Sequence, residues 1–581
     1  MHKRISTLAI VSDRHEAEQA LKILKDEKDY LIIALWPDAE LYISKRLIHW
    51  KNPLYKLVGN DGYRSSRYLF RNFKIARKWA AKTAYQYIQD RLGYFLTEFD
   101  RSFDFAVKII GAYKPKKLII GEPKDFIGSS VIFGTLKTNA FFLIAQEKKI
   151  PYIILRAKTK LRPLRQMVGQ LIQSLRGLAK QTLPSNCDVL VVATGRQLSQ
   201  MGTFVKDMGK SGLKVKYLTY NMTFIYKRRL SFLGEYLEKE KLLDEDLKSQ
   251  TDKMYQTFIT KKWWNKFRYK KYENHKLVMS YIREKIRGDS QNEMQSVFSD
   301  IVIAKKIFLG LSPKILITLT DPDTKVLPYI TTAKKMGIKT VCMQHGAIYP
   351  FDSPAIYPVS EYFVVWSKLV KDWILDNQYF RKVKMRVGES PFHKIREITK
   401  LQNSKNLNIL YLNTAQLVDQ AIIIYYLKTL FSQLSQYGND IKVFLRMHPN
   451  QLQYSSNFDF LTTSGNLKVI WSNDEDLGIL LKKVNVVVYE NTTAGFDAML
   501  AGKPTIYFNP YTGEDFFDIG ANGASLPILK EKDMEKTLPD FLNNFITRSK
   551  FANNGYKYAI RYLGLKSFKI NSNVKVIKNI L

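Results

Sequence analysis

Six residues, Glu490-Asn491-Thr492-Thr493-Ala494-Gly495, stand between an apolar run, Val486-Val487-Val488-Tyr489, and a helical one, Phe496-Asp497-Ala498-Met499-Leu500-Ala501. A strand, a small hydroxyl-bearing turn and a helix start together make an anion site. The first amides of a helix have no internal acceptor, and that end of the helix is positive. Thr492 and Thr493 add side-chain donors, and Gly495 lets the backbone approach a ligand closely. The same turn also fits ordinary helix capping by Asn491 or Thr492. Three further motifs end strands nearby. Leu445-Arg446-Met447-His448-Pro449-Asn450 follows an apolar strand that the proline stops, which leaves His448 at its carboxyl end. Ser472-Asn473-Asp474-Glu475-Asp476 reads as the cap and acidic first turn of a helix at Leu477–Lys482. Asn509-Pro510-Tyr511-Thr512 stands where it would border a base or sugar pocket.

Two motifs lie upstream. Thr320-Asp321-Pro322-Asp323 follows the apolar run Ile315–Leu319, and Gln344-His345-Gly346 follows Val341–Met343. Where a hydroxyl attacks and a phosphate leaves, a base must deprotonate that hydroxyl, and charge developing on the phosphate must be stabilised. Asp321 or Asp323 is expected as the base, with His345 and Gln344 positioning donor or acceptor. Capping of the next helix is the structural alternative for the aspartates. Asp-Pro-Asp also spells a metal-binding Asp-x-Asp, but one short motif supplies too few convergent oxygens, so neither a metal nor a cofactor is expected.

In chain order, Arg-x-His-Pro-Asn, Asn-Asp-x-Asp-Leu and Val-Val-Tyr-Glu-Asn-Thr-Thr-Ala-Gly-Phe-Asp-Ala-Met-Leu-Ala-Gly-Lys-Pro resemble the C-terminal lobe of GT-B glycosyltransferases. The resemblance is to capsule and surface-polysaccharide enzymes: Kdo-transferase-like, CDP-glycerol phosphotransferase-like and His-Pro-motif sialyltransferase-like families. It is close over 440–510 and holds in outline over 185–530. The Gln344-His345-Gly346 turn is similar to one in surface-carbohydrate enzymes of the same superfamily. The resemblance implies that His448 contacts the donor phosphate, with Arg446 and Asn450 beside it. It further implies that Thr492 and Thr493 hold the phosphate, that Glu490 sits near the donor ribose or sugar, and that Gln344 and Gly346 line the facing side. It also implies metal-independent chemistry on a nucleotide-sugar co-substrate, with a surface glycan or lipid-linked acceptor.

The elements that must carry these motifs alternate nearly throughout: short β-branched apolar runs, then longer helical patterns. That rhythm means βαβ units and parallel sheets. Ligands of such sheets bind beyond the carboxyl ends of strands, where all these motifs fall. The expected fold is therefore α/β: a GT-B-like pair of Rossmann-like lobes facing a cleft, preceded by a further α/β domain. The expected division is an N-terminal domain at 1–155, a basic helical linker at 156–184, and an acceptor-side lobe at 185–355 with a helical insertion at 223–300. A nucleotide-sugar lobe at 356–530 and a helical tail at 531–581 follow.

Composition narrows the partners. Among 581 residues, 91 Lys and Arg face 53 Asp and Glu, a formal charge of +38, which attracts phosphate-bearing substrates, anionic membrane or nucleic acid. Hydrophobic residues make up 45% of the chain, which excludes a disordered protein. Lys261–Arg287 carries ten basic and two acidic residues among Trp263, Trp264, Phe267, Tyr269, Tyr272 and Tyr281. Lys148–Cys187 has no carboxylate and shows helical spacing from Leu164 to Leu178. Both suit an anionic lipid surface, with rings at headgroup depth. No apolar run reaches the ~20 residues a membrane span needs, and the N-terminus does not read as a signal peptide. Cys187 and Cys342 read as buried thiols of a reducing compartment. The expected place is cytoplasmic, peripheral at the inner face of the cell membrane. The rival functions are a CDP-glycerol-type phosphotransferase or nucleotide-sugar epimerase, and a non-enzymatic polyanion binder. No nucleic-acid motif favours the latter.

Overall fold

The strands are short runs of Val, Ile, Leu and Tyr, the composition of parallel sheets buried on both faces. In the computed structural model they are β1 (Thr7–Val11), β2 (Tyr30–Ala34), β3 (Lys117–Gly121), β4 (Tyr152–Leu155), β5 (Val189–Thr194), β6 (Val215–Tyr220), β7 (Leu237–Glu238), β8 (Ile315–Thr318), β9 (Lys339–Met343), β10 (Tyr362–Val365), β11 (Lys384–Val387), β12 (Leu407–Leu412), β13 (Ile441–Arg446), β14 (Lys468–Trp471), β15 (Val486–Tyr489), β16 (Thr505–Phe508) and β17 (Leu526–Ile528). The structure describes residues 4–35, 37–47, 71–72, 74–76, 78–79, 89–123, 137–156, 183, 186–220, 236–242, 244–321, 323–348, 359–376, 383–395, 398, 401, 403–404, 406–413, 420–437, 441–448, 452, 458, 461, 467–511, 513–565 and 572–581.

Three sheets result, with strand orders β2-β1-β3-β4, β11-β10-β9-β8-β5-β6-β7 and β14-β13-β12-β15-β16-β17. Every pairing among them is parallel. The protein is therefore mixed α/β, with two larger Rossmann-like sheets and an additional N-terminal one. In each sheet the winding reverses once: beside β1 and β3, beside β5 and β8, and beside β12 and β15. Such reversals open a crevice at the carboxyl ends of the two strands concerned.

Alternation along β5 shows how both faces of the middle sheet are filled. Val189, Val191 and Ala193 join Val574, Ile577 and Ile580 of the helix Ser572–Ile580. Leu190 and Val192 join Ile303, Ile307 and Phe308 of the 36-residue helix Lys276–Leu311 on the other face. Side chains two apart share a face, so one apolar strand serves two helix layers.

By compactness the chain divides into two units, 1–72 with 94–159 and 396–559, and 73–93 with 160–395 and 560–581. This corrects the expected boundaries in three places. The strands at 362–387 belong to the middle lobe, because β10 pairs with β9 and β11 with β10, so that lobe runs past 355 to about 395. The N-terminal sheet falls in one unit with the third sheet; Lys428 Nζ lies 3.2 Å from Glu40 Oε1. The segment 531–581 is not a single tail. Glu531–Asn543 belongs to the first unit, whereas Ser572–Ile580 is built into the second. There Asn573 Oδ1 accepts from Glu389 N at 3.1 Å, Lys339 Nζ donates to the Ile580 carbonyl at 2.7 Å, and Gly388 has no room for a Cβ beside Asn573. Apolar periodicity reports that an element is buried but not which edge or face it joins.

The insertion also differs from expectation. It adds the two-residue edge strand β7, and its last helix continues to Leu311 as the crossover into β8. Among the described residues no helix is long and apolar enough to cross a membrane.

Candidate functional site

The third sheet places its motifs around the reversal between β12 and β15. β15 is wholly buried and delivers Tyr489, whose hydroxyl lies 3.0 Å from Ser525 Oγ, itself 2.5 Å from Thr505 Oγ1. Tyr489 and Tyr507 pack with ring centroids 5.5 Å apart, and the Tyr507 hydroxyl donates to Asn491 Oδ1 at 2.6 Å. A bed of bonded tyrosines thus fixes the turn from below. Over it Thr492 N donates to the Glu490 carbonyl at 2.7 Å, Gly495 N to the Thr492 carbonyl at 3.1 Å, and Phe496 N to the Thr493 carbonyl at 3.0 Å. The helix is Ala494–Leu500, and its cap residue Thr493 makes no side-chain capping bond. Among the described residues, the Thr493 amide and hydroxyl find no protein partner. Thr492 Oγ1 has only a long 3.4 Å contact from Ala494 N. Thr492 and Thr493 are half-exposed. Ordinary capping does not use up these groups, since Asn491 is turned to Tyr507 instead.

Two expectations at this turn need correction. Glu490 is fully buried. Its Oε1 accepts from the Tyr411 hydroxyl, and its charge, after burial itself, helps push the Tyr411 and Tyr511 phenols well above their ordinary pKa. A carboxylate so enclosed braces the turn and does not face a ribose. Gly495 is a glycine because a Cβ there would overlap the Tyr489 ring, not because a ligand needs the space.

β13 ends at Arg446, whose Nη1 donates to the Ser472 carbonyl at 3.1 Å and to the Glu475 carbonyl. Its guanidinium, lowered in pKa by burial, is spent holding the 472–476 turn. Asn473 grips the same loop both ways, accepting from Met447 N at 3.1 Å and donating to the Met447 carbonyl at 2.8 Å. This orients the chain into His448, which is half-exposed; Asn450 lies outside the described residues. Asp476 caps the helix Leu477–Lys483, as its position in the acidic turn suggests. Asn413, at the end of β12, was not singled out by sequence. It is buried, and its Oδ1 has no protein donor among the described residues. Its place directly after an apolar strand was the available signal.

In the middle sheet the two aspartates separate. Asp321 is fully buried, accepting from Thr318 Oγ1 at 2.6 Å and from Ser360 N at 2.5 Å, with the Cys342 thiol against it. Burial raises its pKa in spite of those bonds. This position ties β8 to the start of β10 and is closed to an acceptor hydroxyl, which removes Asp321 as the base. Asp323 is half-exposed at the same strand end, and its Oδ1 accepts from Lys325 N at 2.9 Å. The following helix, Leu327–Lys335, starts without a side-chain cap, so Asp323 shapes the approach and does not cap the helix.

The raised pKa of Asp321 makes a testable claim. The folded state keeps the proton to higher pH than the unfolded chain. The stability Asp321 contributes is therefore complete below the ordinary carboxylate range and is lost as pH rises through the raised folded pKa. Asp321→Asn can accept from Ser360 N and donate to Thr318 Oγ1 with no charge to bury. Urea unfolding from acid to neutral pH is expected to show the stability difference moving in the variant's favour. A difference that stays flat with pH would contradict the buried-charge reading.

Gln344 is also turned inward. Its Oε1 accepts from Trp366 N at 2.9 Å, its Nε2 donates to the Gly346 carbonyl at 2.9 Å, and its carbonyl accepts from Trp366 Nε1 at 2.7 Å. It shapes the turn and leaves contact to its neighbour. His345 is open to solvent, yet the protein around it lowers its pKa by desolvation, with repulsion from Arg196 second. An imidazole held below its ordinary 6.5 is neutral near pH 7 and can accept a proton or hydrogen bond. Gly346 is half-exposed beside it. Nearby Ser390 Oγ lies 2.6 Å from His393 Nδ1, a buried pair the sequence reading missed; Phe392 packs edge-on to His345 with centroids 6.2 Å apart. Both cysteines are free and buried, and burial pushes the Cys187 thiol up to about 11. Among the described residues no group of three His, Cys, Asp or Glu side chains converges as a metal site.

The class this geometry defines is that of proteins with two large Rossmann-like sheets and strand-end polar sites. No protein-family model matches the chain, and no curated protein matches it. Among solved structures, UDP-GlcNAc 2-epimerase from Neisseria meningitidis bound to UDP-GlcNAc is similar at 11% identity over 68% of this chain and 99% of its own, with a TM-score of 0.42. A TarM variant from S. aureus, in complex with fondaparinux, alpha-GlcNAc-glycerol and UDP, gives 11% over 68% and 99%, at 0.41. The spinosyn rhamnosyltransferase SpnG gives 13% over 68% and 100%, at 0.38. Likeness at this level reaches no residue and no reaction.

In the basic segment Lys261–Arg287 four of the six rings are turned inward. Trp264, Phe267, Tyr269 and Tyr272 are all buried, while Lys261, Lys262, Lys266, Arg268, Lys270 and Lys276 are exposed. These four rings are core, whereas Trp263 and Tyr281 are half-exposed, with the ammonium groups of Lys266 and Lys285 4.9 and 5.7 Å from their ring centroids. The carboxylate-free helical pattern at 164–178 lies outside the described residues.

Proposed function

We propose that this chain is a glycosyltransferase moving a sugar from a nucleotide-sugar donor to a surface glycan or lipid-linked acceptor. One observation carries the reading. The Thr492–Thr493 turn, at the reversal of a parallel sheet, holds an unclaimed amide and two available hydroxyls on a rigid tyrosine bed. A phosphate oxygen is the ligand such donors suit. The helix behind them has only seven residues, so the local amide and hydroxyls carry more of the binding than its dipole. Half-exposed His448, on a loop braced by Asn473, adds a further donor for the same phosphate. The Thr492–Thr493 donors would meet charge developing on a phosphate bound at their own turn. Separately, on the middle sheet, half-exposed Asp323 and exposed His345 are the strand-end groups able to take a proton from a hydroxyl.

The test is a thermal-shift screen of the full chain against UDP, GDP, CMP, CDP and dTDP, since a ligand of the native state raises Tm. At least one is expected to do so. Thr492→Val with Thr493→Val keeps the branched shape and removes both hydroxyls. It is expected to weaken that nucleotide roughly 10- to 100-fold while leaving the unliganded Tm nearly unchanged. If no nucleotide shifts Tm, or the double variant binds as well as the parent, the donor site is elsewhere. A product assay for a new glycosidic bond separates transfer from epimerisation and phosphotransfer.

A further inference from the structure

Between the helices Glu245–Thr260 and Lys276–Leu311 the chain folds two arginines onto one carbonyl. Arg268 Nη1 donates to the Phe267 carbonyl at 3.2 Å and to the Asn265 carbonyl at 3.0 Å. From the long helix, Arg283 Nε donates to the same Phe267 carbonyl, also at 3.2 Å. Phe267 is fully buried and packed edge-on by Trp79 at 5.1 Å, so the shared acceptor is rigid.

Two guanidiniums drawn to one oxygen repel each other, and proteins ordinarily place a carboxylate between them. Among the described residues none stands there. The nearby acid in sequence, Glu284, pairs with Arg287. After burial, the charge of Arg268 lowers the pKa of Arg283, and no carboxylate offsets it. Each guanidinium has five N–H groups in a planar fork, and the bonds to Phe267 and Asn265 use only a few of them. Arg268 is exposed and Arg283 half-buried, with exposed Lys266 and Lys270 close in sequence. Like charges held together without a counter-charge are the recipe for an anion site, and paired forks match the tetrahedral oxygens of phosphate.

We propose that Arg268 and Arg283 form a phosphate-binding site, apart from the Thr492–Thr493 turn, for a ligand bearing a phosphate monoester or diester. The ligand is either a lipid headgroup or a soluble phosphate compound. Four rings of this segment, Trp264, Phe267, Tyr269 and Tyr272, are buried in the protein, so a lipid would be recognised at the arginines by its headgroup.

The experiment uses the full chain at low ionic strength with two probes: inorganic pyrophosphate by calorimetry, and phosphatidylglycerol–phosphatidylcholine vesicles by flotation. Arg268→Gln is expected to weaken whichever probe binds by roughly tenfold or more. Lys261→Gln, the same charge change on an exposed lysine, is expected to alter it less than about twofold. Arg268→Lys, which keeps the charge and loses the fork, should fall between them. Arginine-dependent binding of pyrophosphate alone assigns a soluble ligand, and of vesicles alone a lipid headgroup; either supports the site. Absence of binding by both probes overturns it, as does an equal loss in Arg268→Gln and Lys261→Gln, which would mean a diffuse field. Nucleotide-induced thermal shift in the same variants reads the Thr492–Thr493 turn separately, so the two proposals fail independently.

Discussion

Asp323→Asn is expected to lower sugar transfer by about 10²- to 10⁴-fold, the usual range for losing a general base, while Asp321→Asn keeps transfer within a few-fold. The two residues sit two apart on one strand end, and sequence alone gives them equal claims. Their surroundings differ. Asp321 is sealed, its oxygens taken by Thr318, Ser360 and the Cys342 thiol. Asp323 gives one oxygen to Lys325 N, which fixes its orientation, and among the described residues its other oxygen has no protein donor. A base needs a free lone pair within reach of the proton it takes, and only Asp323 meets that requirement. The assay is product formation with both variants matched for folded fraction by circular dichroism. Full activity in Asp323→Asn would move the role to His345, the other strand-end group able to accept a proton.

What could be read from residues alone divides along physical lines. β15 matches the apolar run Val486–Tyr489 residue for residue, and β8 and β9 match Ile315–Leu319 and Val341–Met343 to within two residues, because a strand buried on both faces announces itself by composition. β7 and β17, of two and three residues, carry too little pattern to be seen. The placement of β10 and β11 was misjudged for another reason: which sheet a strand joins depends on partners distant in sequence. The site shows the same split. Residue types at strand ends marked the turns that follow β13, β14 and β15. Which way each side chain points was not legible. Glu490, Gln344 and Arg446 look like ligand contacts in sequence, yet all three are bonded inward. Asn413, the Ser390–His393 pair and the grip of Asn473 on Met447 came to light only once the loops closed around them. A polar residue at a strand end either meets a ligand or holds the loop that does, and spacing cannot tell these roles apart.

Gly495→Ala isolates that second role. In an unobstructed helix, alanine is better than glycine by about 1 kcal/mol, so propensity alone predicts a more stable protein. Here the added Cβ would enter the Tyr489 ring. That ring has little freedom to retreat, since its hydroxyl is held at Ser525 and it packs, tilted, against the Tyr507 ring. Overpacking of this kind costs about 1–3 kcal/mol, occasionally more, enough to outweigh the propensity gain. A net loss of about 1–2 kcal/mol in urea unfolding is therefore expected. The sign should reverse when Tyr489→Ala is already present, because the space then exists and only the propensity term is left. That double-mutant cycle reads the Gly495–Tyr489 contact directly, and simple additivity would mean the ring does not set the glycine. The cycle also bears on function. If the tyrosine bed positions the Thr493 amide, Gly495→Ala should weaken nucleotide binding at temperatures where the variant is fully folded. The Thr492→Val and Thr493→Val changes should weaken it without any loss of stability.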